Sequence, residues 1–164
     1  MLEAKLMSIH RRYVVTAIFV LMAGLLSAAD KPNFSGQWKL NVDKSNFGPM
    51  PAPSSQTLKI EHTDPDVVTT TDQEGDQGKM SYTIKYKTDG SETANEVRGA
   101  QAKSVGKWEG EAIVVTTKLD FQGTEITLSN TMKLAPGGKN MNAVTKIQTP
   151  QGEFEQALVF DKVE

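Results

Sequence analysis

A single stretch, "KIEHTDPD" at residues 59–66, places His62 two residues before Asp64 and four before Asp66. A histidine oriented by a carboxylate is the acid–base half of a catalytic triad, but a triad also needs a positioned nucleophile. The simpler reading is a strand-end histidine facing water. "TDQEGDQG" at 71–78 offers Asp72, Glu74 and Asp76 at alternate positions, a hint of calcium. The twelve-residue calcium-loop order fails, because its sixth place holds Gln77 and its twelfth Thr83. A polar hairpin turn fits better. "APGGK" at 135–139 has no Lys-Ser/Thr pair and no helical pattern after it, so it is a turn rather than a phosphate loop. Asn33-Phe34-Ser35 fits a glycosylation acceptor, meaningful only in a eukaryotic secretory route. No metal site, no cofactor site and no catalytic constellation emerges, and the sequence reads as a non-enzyme.

The absence of cysteine sharpens this. It excludes disulfides, thiolate metal sites and cysteine nucleophiles. Residues 1–29 have the three-part layout of a signal peptide: Lys5, Arg11 and Arg12, then an apolar run from Tyr13 to Leu26, then Ser27-Ala28-Ala29. Met7 is an alternative start. The apolar run is shorter than the ~20 residues that span a bilayer, so no stable membrane anchor is expected after cleavage. The expected location is periplasmic or extracellular. Removing three basic residues and Glu3 from totals of 18 and 20 leaves 15 basic and 19 acidic, a net charge of −4. A chain so charged, with no basic block, has no electrostatic footprint for nucleic acid.

Residues 30–164 must therefore fold as one domain held by its core alone. They form a succession of short alternating runs. Phe34, Gly36, Trp38, Leu40 and Val42 share one parity; so do Met80, Tyr82, Ile84 and Tyr86, and Ile113, Val115, Thr117, Leu119 and Phe121. Ile126, Leu128, Asn130, Met132 and Leu134 follow, then Met141, Ala143, Thr145 and Ile147, then Phe154, Gln156, Leu158 and Phe160. Val67 to Thr71 is β-branched throughout. Asp89-Gly90 reads as a hairpin turn. Strand starts near 36, 56, 66, 79, 92, 101, 112, 124, 140 and 153 have hairpin spacing, and no helical period is sustained.

These patterns predict an all-β fold, a single antiparallel up-and-down β-barrel of about eight to ten strands, with a two-sheet sandwich as the alternative. Closing the sheet removes the exposed edges. The turns are short except at 43–54, where Pro49, Pro51 and Pro53 cannot continue a central strand. That segment is either an extended cap or crossover, or a plain surface connector.

Three patches carry a resemblance. "FSGQWKL" at 34–40 resembles the Gly-x-Trp first strand of the calycin barrels, the lipocalins and fatty-acid-binding proteins. "KWEGEAIVV" at 107–115 is similar to the Trp-acid-Gly turn of the fatty-acid-binding branch, and "LVFDKVE" at 158–164 to its last strand. In outline the chain also resembles exported bacterial lipocalin-like proteins. The resemblance implies a ligand in the barrel, but its carboxylate clamp does not carry over. Where that branch places an arginine and a tyrosine in the last strand, this chain has Leu158 and Phe160; a further arginine is replaced by Thr117. The two-helix lid is also missing, with the proline segment in its place.

The aromatic residues (Trp38, Tyr82, Tyr86, Trp108, Phe121, Phe154, Phe160) are core-formers first. The inward-facing polar residues Thr117, Asn130, Thr145 and Gln156 need partners, which suggests a cavity or a buried network. The candidate ligand-lining set is Trp38, Leu40, Tyr82, Tyr86, Thr117, Leu119, Leu128, Asn130, Met132, Thr145, Gln156, Leu158 and Phe160. The expected function is an exported binding module for a small, mostly apolar, non-carboxylate ligand. The alternative is a structural or protein-interaction barrel with a filled core, and a cavity of several hundred Å³ separates the two.

Cleavage after Ala29 predicts a mature N-terminus at Asp30. Intact-mass analysis of the exported protein checks it; a retained residue 1 or 7 would refute the leader.

Overall fold

The alternating runs become antiparallel strands in a computed structural model that describes residues 31–76, 78–121 and 123–163. The leader and its cleavage site lie outside the described residues. The strands are β1 (Gly36–Leu40), β2 (Ser55–Thr63), β3 (Asp66–Gly75), β4 (Gly78–Lys87) and β5 (Asp89–Val97). Then come β6 (Ala100–Glu109), β7 (Ala112–Phe121), β8 (Thr124–Leu134), β9 (Asn140–Thr149) and β10 (Gly152–Val163). They make one sheet in the order β4-β3-β2-β1-β10-β9-β8-β7-β6-β5, curled into a nearly closed barrel. All neighbours are sequential hairpin partners except β1 and β10. There Trp38 faces Lys162 on one side and Leu58 on the other.

The barrel lacks one ladder. The turn falls at Thr88; Asp89 and Gly90 (φ +87) already belong to β5, and β4 and β5 do not pair as the hairpin that the dipeptide suggests. Two features explain the correction. β5 slips its register on β6 between Asp89 and Glu92. And β6 comes directly against the end of β4 at Gly106, where a Cβ would fall 2.7 Å from the Lys87 carbonyl oxygen and 2.7 Å from the Tyr86 ring. One side chain then bridges the gap. The Asn95 carboxamide accepts from the Lys85 N–H and donates to the Lys85 carbonyl, both at 2.8 Å, replacing two ladder bonds.

The proline segment is a long connector between the adjacent strands β1 and β2, not a crossover. Past β1 the chain still follows β10: Asn41 N–H donates to the Val159 carbonyl at 2.8 Å, and Asn46 and Ala157 exchange two bonds at 2.7 and 2.8 Å. A 3-10 turn at Val42–Lys44 lies between these points, and Ser45 Oγ takes the Val159 N–H that the turn would leave open (2.9 Å). Phe47 packs against the core. The prolines then carry the chain to β2, with Pro53 buried beside Gly75.

One end of the barrel is plugged. Phe34, Trp38, Ile60, Val67, Ile113, Met141 and Phe160 are almost wholly excluded from solvent there and at the core's centre. The Trp38 indole donates to the Phe34 carbonyl at 3.0 Å, and Lys162 Nζ lies 5.2 Å from the ring centroid. Outside, Lys–carboxylate pairs such as Lys103–Glu92 (2.9 Å) are exposed and add little stability.

With its side chain fully enclosed, Trp38→Ala should destabilise the fold by ~3–5 kcal/mol in denaturant titrations, the range for a large buried aromatic. A loss under ~1 kcal/mol would mean that β1 does not organise the plug.

Candidate functional site

Above the plug the barrel is hollow. A cavity of about 340 Å³ lies between the two walls of the barrel. On the β7–β10 wall it is lined by Val115, Thr117, Leu119, Leu128, Asn130, Met132, Ala143, Thr145, Gln156, Leu158 and Phe160. The β2–β4 wall supplies Gln56, Leu58, Thr69, Thr71, Gln73, Met80, Tyr82, Ile84 and Tyr86. Val97 and Arg98, at the β5–β6 turn, stand at the mouth. None of the residues 41–54 lines the cavity, so this connector is not its lid.

Of the expected lining residues, Tyr82, Tyr86, Thr117, Leu119, Leu128, Asn130, Met132, Thr145, Gln156, Leu158 and Phe160 border this space. Trp38 and Leu40 do not. Both point inward, but β1 is so short that its inward side chains are spent in the packed core beneath the cavity. Phe121 is likewise no core residue: at the end of β7 it is 44% exposed. The β3 part of the β2–β4 wall was hidden by composition. A run that is β-branched throughout has no visible alternation, and only the Gly75–Gly78 pairing, which sets Thr71 opposite Tyr82, fixes which threonines face in. Arg98 was missed because it sits in a turn, where it adopts φ +54.

The inward polar groups are largely tied to each other. Asn95 donates to Ser104 Oγ at 3.0 Å, and Ser104 and Thr117 share a hydrogen bond of 2.8 Å. Ser104 is completely buried, so this chain connects the β4–β5 bridge with the cavity wall. Thr145 donates to Asn130 Oδ1 at 3.2 Å. Gln156 reaches out to the Phe47 carbonyl (3.4 Å). Thr69 Oγ1 and Tyr86 Oη are both shielded from solvent and neighbour each other, an approach that falls short of full hydrogen-bond geometry but still lets the threonine hydroxyl act on the phenol. Burial pushes the Tyr86 phenol up to about 12, and the neighbouring Thr69 hydroxyl only partly offsets that. The phenol is a neutral donor at any physiological pH.

His62 overturns the reading of a water-facing residue: it is only 6% exposed, at the plugged end of the barrel. Its Nδ1 accepts the Phe34 N–H at 3.2 Å, so the ring proton is on Nε2, which faces Asp64 Oδ1 at 3.5 Å. The ring's acceptor nitrogen is thus already engaged with the backbone and cannot act as a base. The same Asp64 oxygen accepts from Thr88 Oγ1 (2.6 Å) and Trp108 Nε1 (2.9 Å). The Phe34, His62 and Trp108 rings pack against one another, tilted, with centroids 5.8–6.1 Å apart. The group ties three hairpins together. Asp72 and Glu74 lie exposed on β3, with Glu74 4.0 Å from Lys79. Among the described residues no His/Asp/Glu group has metal-site geometry.

No family model and no curated protein matches the sequence. Solved structures do match the coordinates. Zebrafish ileal bile-acid-binding protein, solved with cholic acid, aligns over 79% of this chain and 98% of its own at TM-score 0.54 and 16% identity. The fold is calycin-like, of the fatty-acid-binding-protein type. A secretory abundant heat-soluble protein from Ramazzottius varieornatus aligns over 79% and 94% at TM-score 0.58 with 11% identity. The fluorescent protein UnaG aligns over 79% and 97% at TM-score 0.53 with 19% identity. At such identities the calycin barrel is what is shared, and the cavity residues must be read on their own chemistry.

Hydrogen bonds from Thr88, then Trp108 and then His62 hold the Asp64 carboxyl below its ordinary 3.8, against a smaller opposing effect of burial. A carboxyl lowered by folding contributes stability that is complete above its unfolded value and is lost as pH falls through the folded one. Below about pH 4 the melting temperature of the wild type should therefore fall more steeply than that of Asp64→Asn. Parallel acid limbs in thermal melts from pH 5 to 2.5 would remove Asp64 from the plug's energetics.

Proposed function

We propose that the protein is an exported calycin-like barrel that binds a small, mostly apolar ligand lacking an ionised carboxylate. The observation that carries this reading is the cavity of about 340 Å³ inside an otherwise well-packed barrel. That volume is at the small end of the ~300–1,000 Å³ of ligand sites, and it counts against the filled-core alternative. Export rests on the leader at residues 1–29. The zebrafish neighbour's cholic acid supports occupation of such a barrel by a small lipid-like molecule, without saying which one.

The polarity of the wall supports a neutral ligand. Leu158 and Phe160 are buried where a clamp would stand, and the Thr117 hydroxyl is committed to Ser104. Arg98 is the one cation among the described lining residues, and it is exposed at the mouth. An exposed arginine attracts a carboxylate by only ~0–1 kcal/mol, whereas carrying an unpaired ion inside costs several kcal/mol. An acid would either leave its head in water beside Arg98 or lose affinity. The apolar body of a neutral ligand meets no such conflict.

Dodecan-1-ol should therefore bind more tightly than dodecanoate at pH 7, by about tenfold, the equivalent of ~1.4 kcal/mol. Displacement of N-phenyl-1-naphthylamine fluorescence measures both. Leu158→Arg combined with Phe160→Tyr should narrow the preference. Equal or tighter binding of the acid, abolished by Arg98→Ala, would transfer the clamp's role to the mouth and overturn the neutral-ligand reading.

A further inference from the structure

The polar groups of the cavity wall form a band. On strand after strand, a polar lining side chain is followed by an apolar one at the next inward-facing position towards the plug. On β10 Gln156 precedes Leu158 and Phe160, and on β9 Thr145 lies mouthward of Ala143. On β2 Gln56 precedes Leu58, and on β4 Tyr82 precedes Ile84. The registers join these positions sideways. Gln156 pairs with Thr145 and Thr145 with Asn130 on one wall; Gln56 pairs with Gln73 and Thr71 with Tyr82 on the other. The result is a belt of neutral amides and hydroxyls above an apolar floor. Met80 and Leu128 line the cavity further out on β4 and β8, so the belt lies inside the cavity rather than on its rim.

The two walls differ in how far their polar groups are committed. On the β7–β10 wall Thr117 is taken up by Ser104, Thr145 by Asn130 Oδ1, and Gln156 Nε2 by the Phe47 carbonyl. On the β2–β4 wall the side chains of Gln56, Thr71, Gln73 and Tyr82 have no hydrogen-bond partner among the described residues, and their polar atoms are open to water. Thr71 shows where this wall opens. The residue is only 3% exposed, yet its hydroxyl is not sealed, and the space it borders is the cavity. Thr69 and Tyr86, deeper on the same wall, have sealed hydroxyls and belong to the packing beneath. Valine, leucine and phenylalanine would close such a wall equally well. Uncommitted donors and acceptors on neighbouring strands, with an apolar floor below them, fit a head group that carries several neutral polar atoms.

We propose that this belt is a collar for the polyhydroxy head of a neutral amphiphile whose alkyl tail enters first. The tail occupies the floor between Leu58, Met132, Ala143 and Leu158. On β10 that floor reaches Phe160, two inward-facing positions beyond Gln156 and ~13 Å along the strand. The amide oxygens of Gln56 and Gln73 accept from the head's hydroxyls and their N–H groups donate, while the Thr71 and Tyr82 hydroxyls do either. A lone alcohol uses one or two of these groups. A glycerol-type head reaches groups on adjacent strands, which run ~5 Å apart. This collar rests on the proposed binding of an apolar ligand in the cavity. It specifies the ligand class and its orientation: glycerol ethers and similar neutral polyol lipids, held with the head towards the mouth.

Displacement of N-phenyl-1-naphthylamine by 1-O-octylglycerol, octan-1-ol and octyl glucoside tests it on the full mature chain and on Gln73→Leu and Tyr82→Phe. The glycerol ether and the alcohol share a tail, so the ratio of their affinities reads the head group alone. The wild type should favour the glycerol ether about five- to tenfold, and either substitution should lower that ratio about threefold or more, the net worth of one neutral hydrogen bond. Octan-1-ol itself should bind the variants as tightly as the wild type or more so. Thermal melts should show both variants at least as stable as the wild type without ligand, which separates a lost contact from a damaged fold. Octyl glucoside, whose sugar is far wider than its tail, should also bind the wild type, because its head stays on the mouth side. An unchanged ratio in both variants would overturn the collar and give these side chains to resident water. Exclusion of the glucoside while octan-1-ol binds would overturn the tail-first orientation. Either result leaves the cavity's binding function intact. Failure of every competitor, and of N-phenyl-1-naphthylamine itself, would instead defeat the binding function and the collar with it.

Discussion

The structure depends on β1 holding two strands at once. Without it the sheet would be two separate pieces, β2–β4 and β5–β10, because β1 is the link that pairs with both β2 and β10. Five residues do this, and a strand so short satisfies few backbone groups on each side. The chain compensates in two ways. Trp38 and Phe34 bury the strand's inward side completely and share a hydrogen bond between them. Beyond β1, residues 41–46 go on bonding to β10 past the 3-10 turn. The prolines begin only where that pairing ends, which is why three of them so early in the barrel do no harm.

A second constraint follows from closure. A sheet of ten strands curled round leaves two edges facing each other, and unpaired peptide groups at such edges are exposed to water and to other chains. Here β4 and β5 remain apart, and Asn95 supplies a donor and an acceptor to Lys85 with the geometry of a peptide group. Because Asn95 also donates to Ser104, and Ser104 pairs with Thr117, the edge repair reaches into the cavity wall. The polar band that an inspection of the barrel interior would assign to ligand is thus partly structural. What remains for ligand chemistry is narrower: a mainly apolar tube and one arginine in the open mouth.

The plugged end shows how an apparent catalytic motif can be a structural one. His62, Asp64 and Thr88 have the residue types of a triad, but the order of their bonds is wrong for one. The carboxylate collects the donors, and the imidazole accepts from the backbone. Nothing is left to deprotonate a nucleophile. The charge is useful instead because one oxygen fixes three side chains drawn from different hairpins.

By itself the sequence determined the strands and their inward sides wherever polar and apolar residues alternate. β4, β7, β8 and β10 were legible because a period of two in a half-buried strand is a local property of the chain. Local turn chemistry also placed most strand ends. The tertiary structure alone decided the rest. Asp89-Gly90 is an ordinary turn signal, yet the strands around it separate, because the approach of β6 at Gly106 is a long-range contact that no local pattern records. Trp38 and Leu40 have the parity of lining residues, but depth along the barrel axis depends on where β1 begins against β2 and β10. Thr69 and Arg98 lie in a uniformly β-branched run and in a turn, where alternation carries no information. Parity is written in the chain; depth, and the partners met there, arise only when distant strands are brought into register.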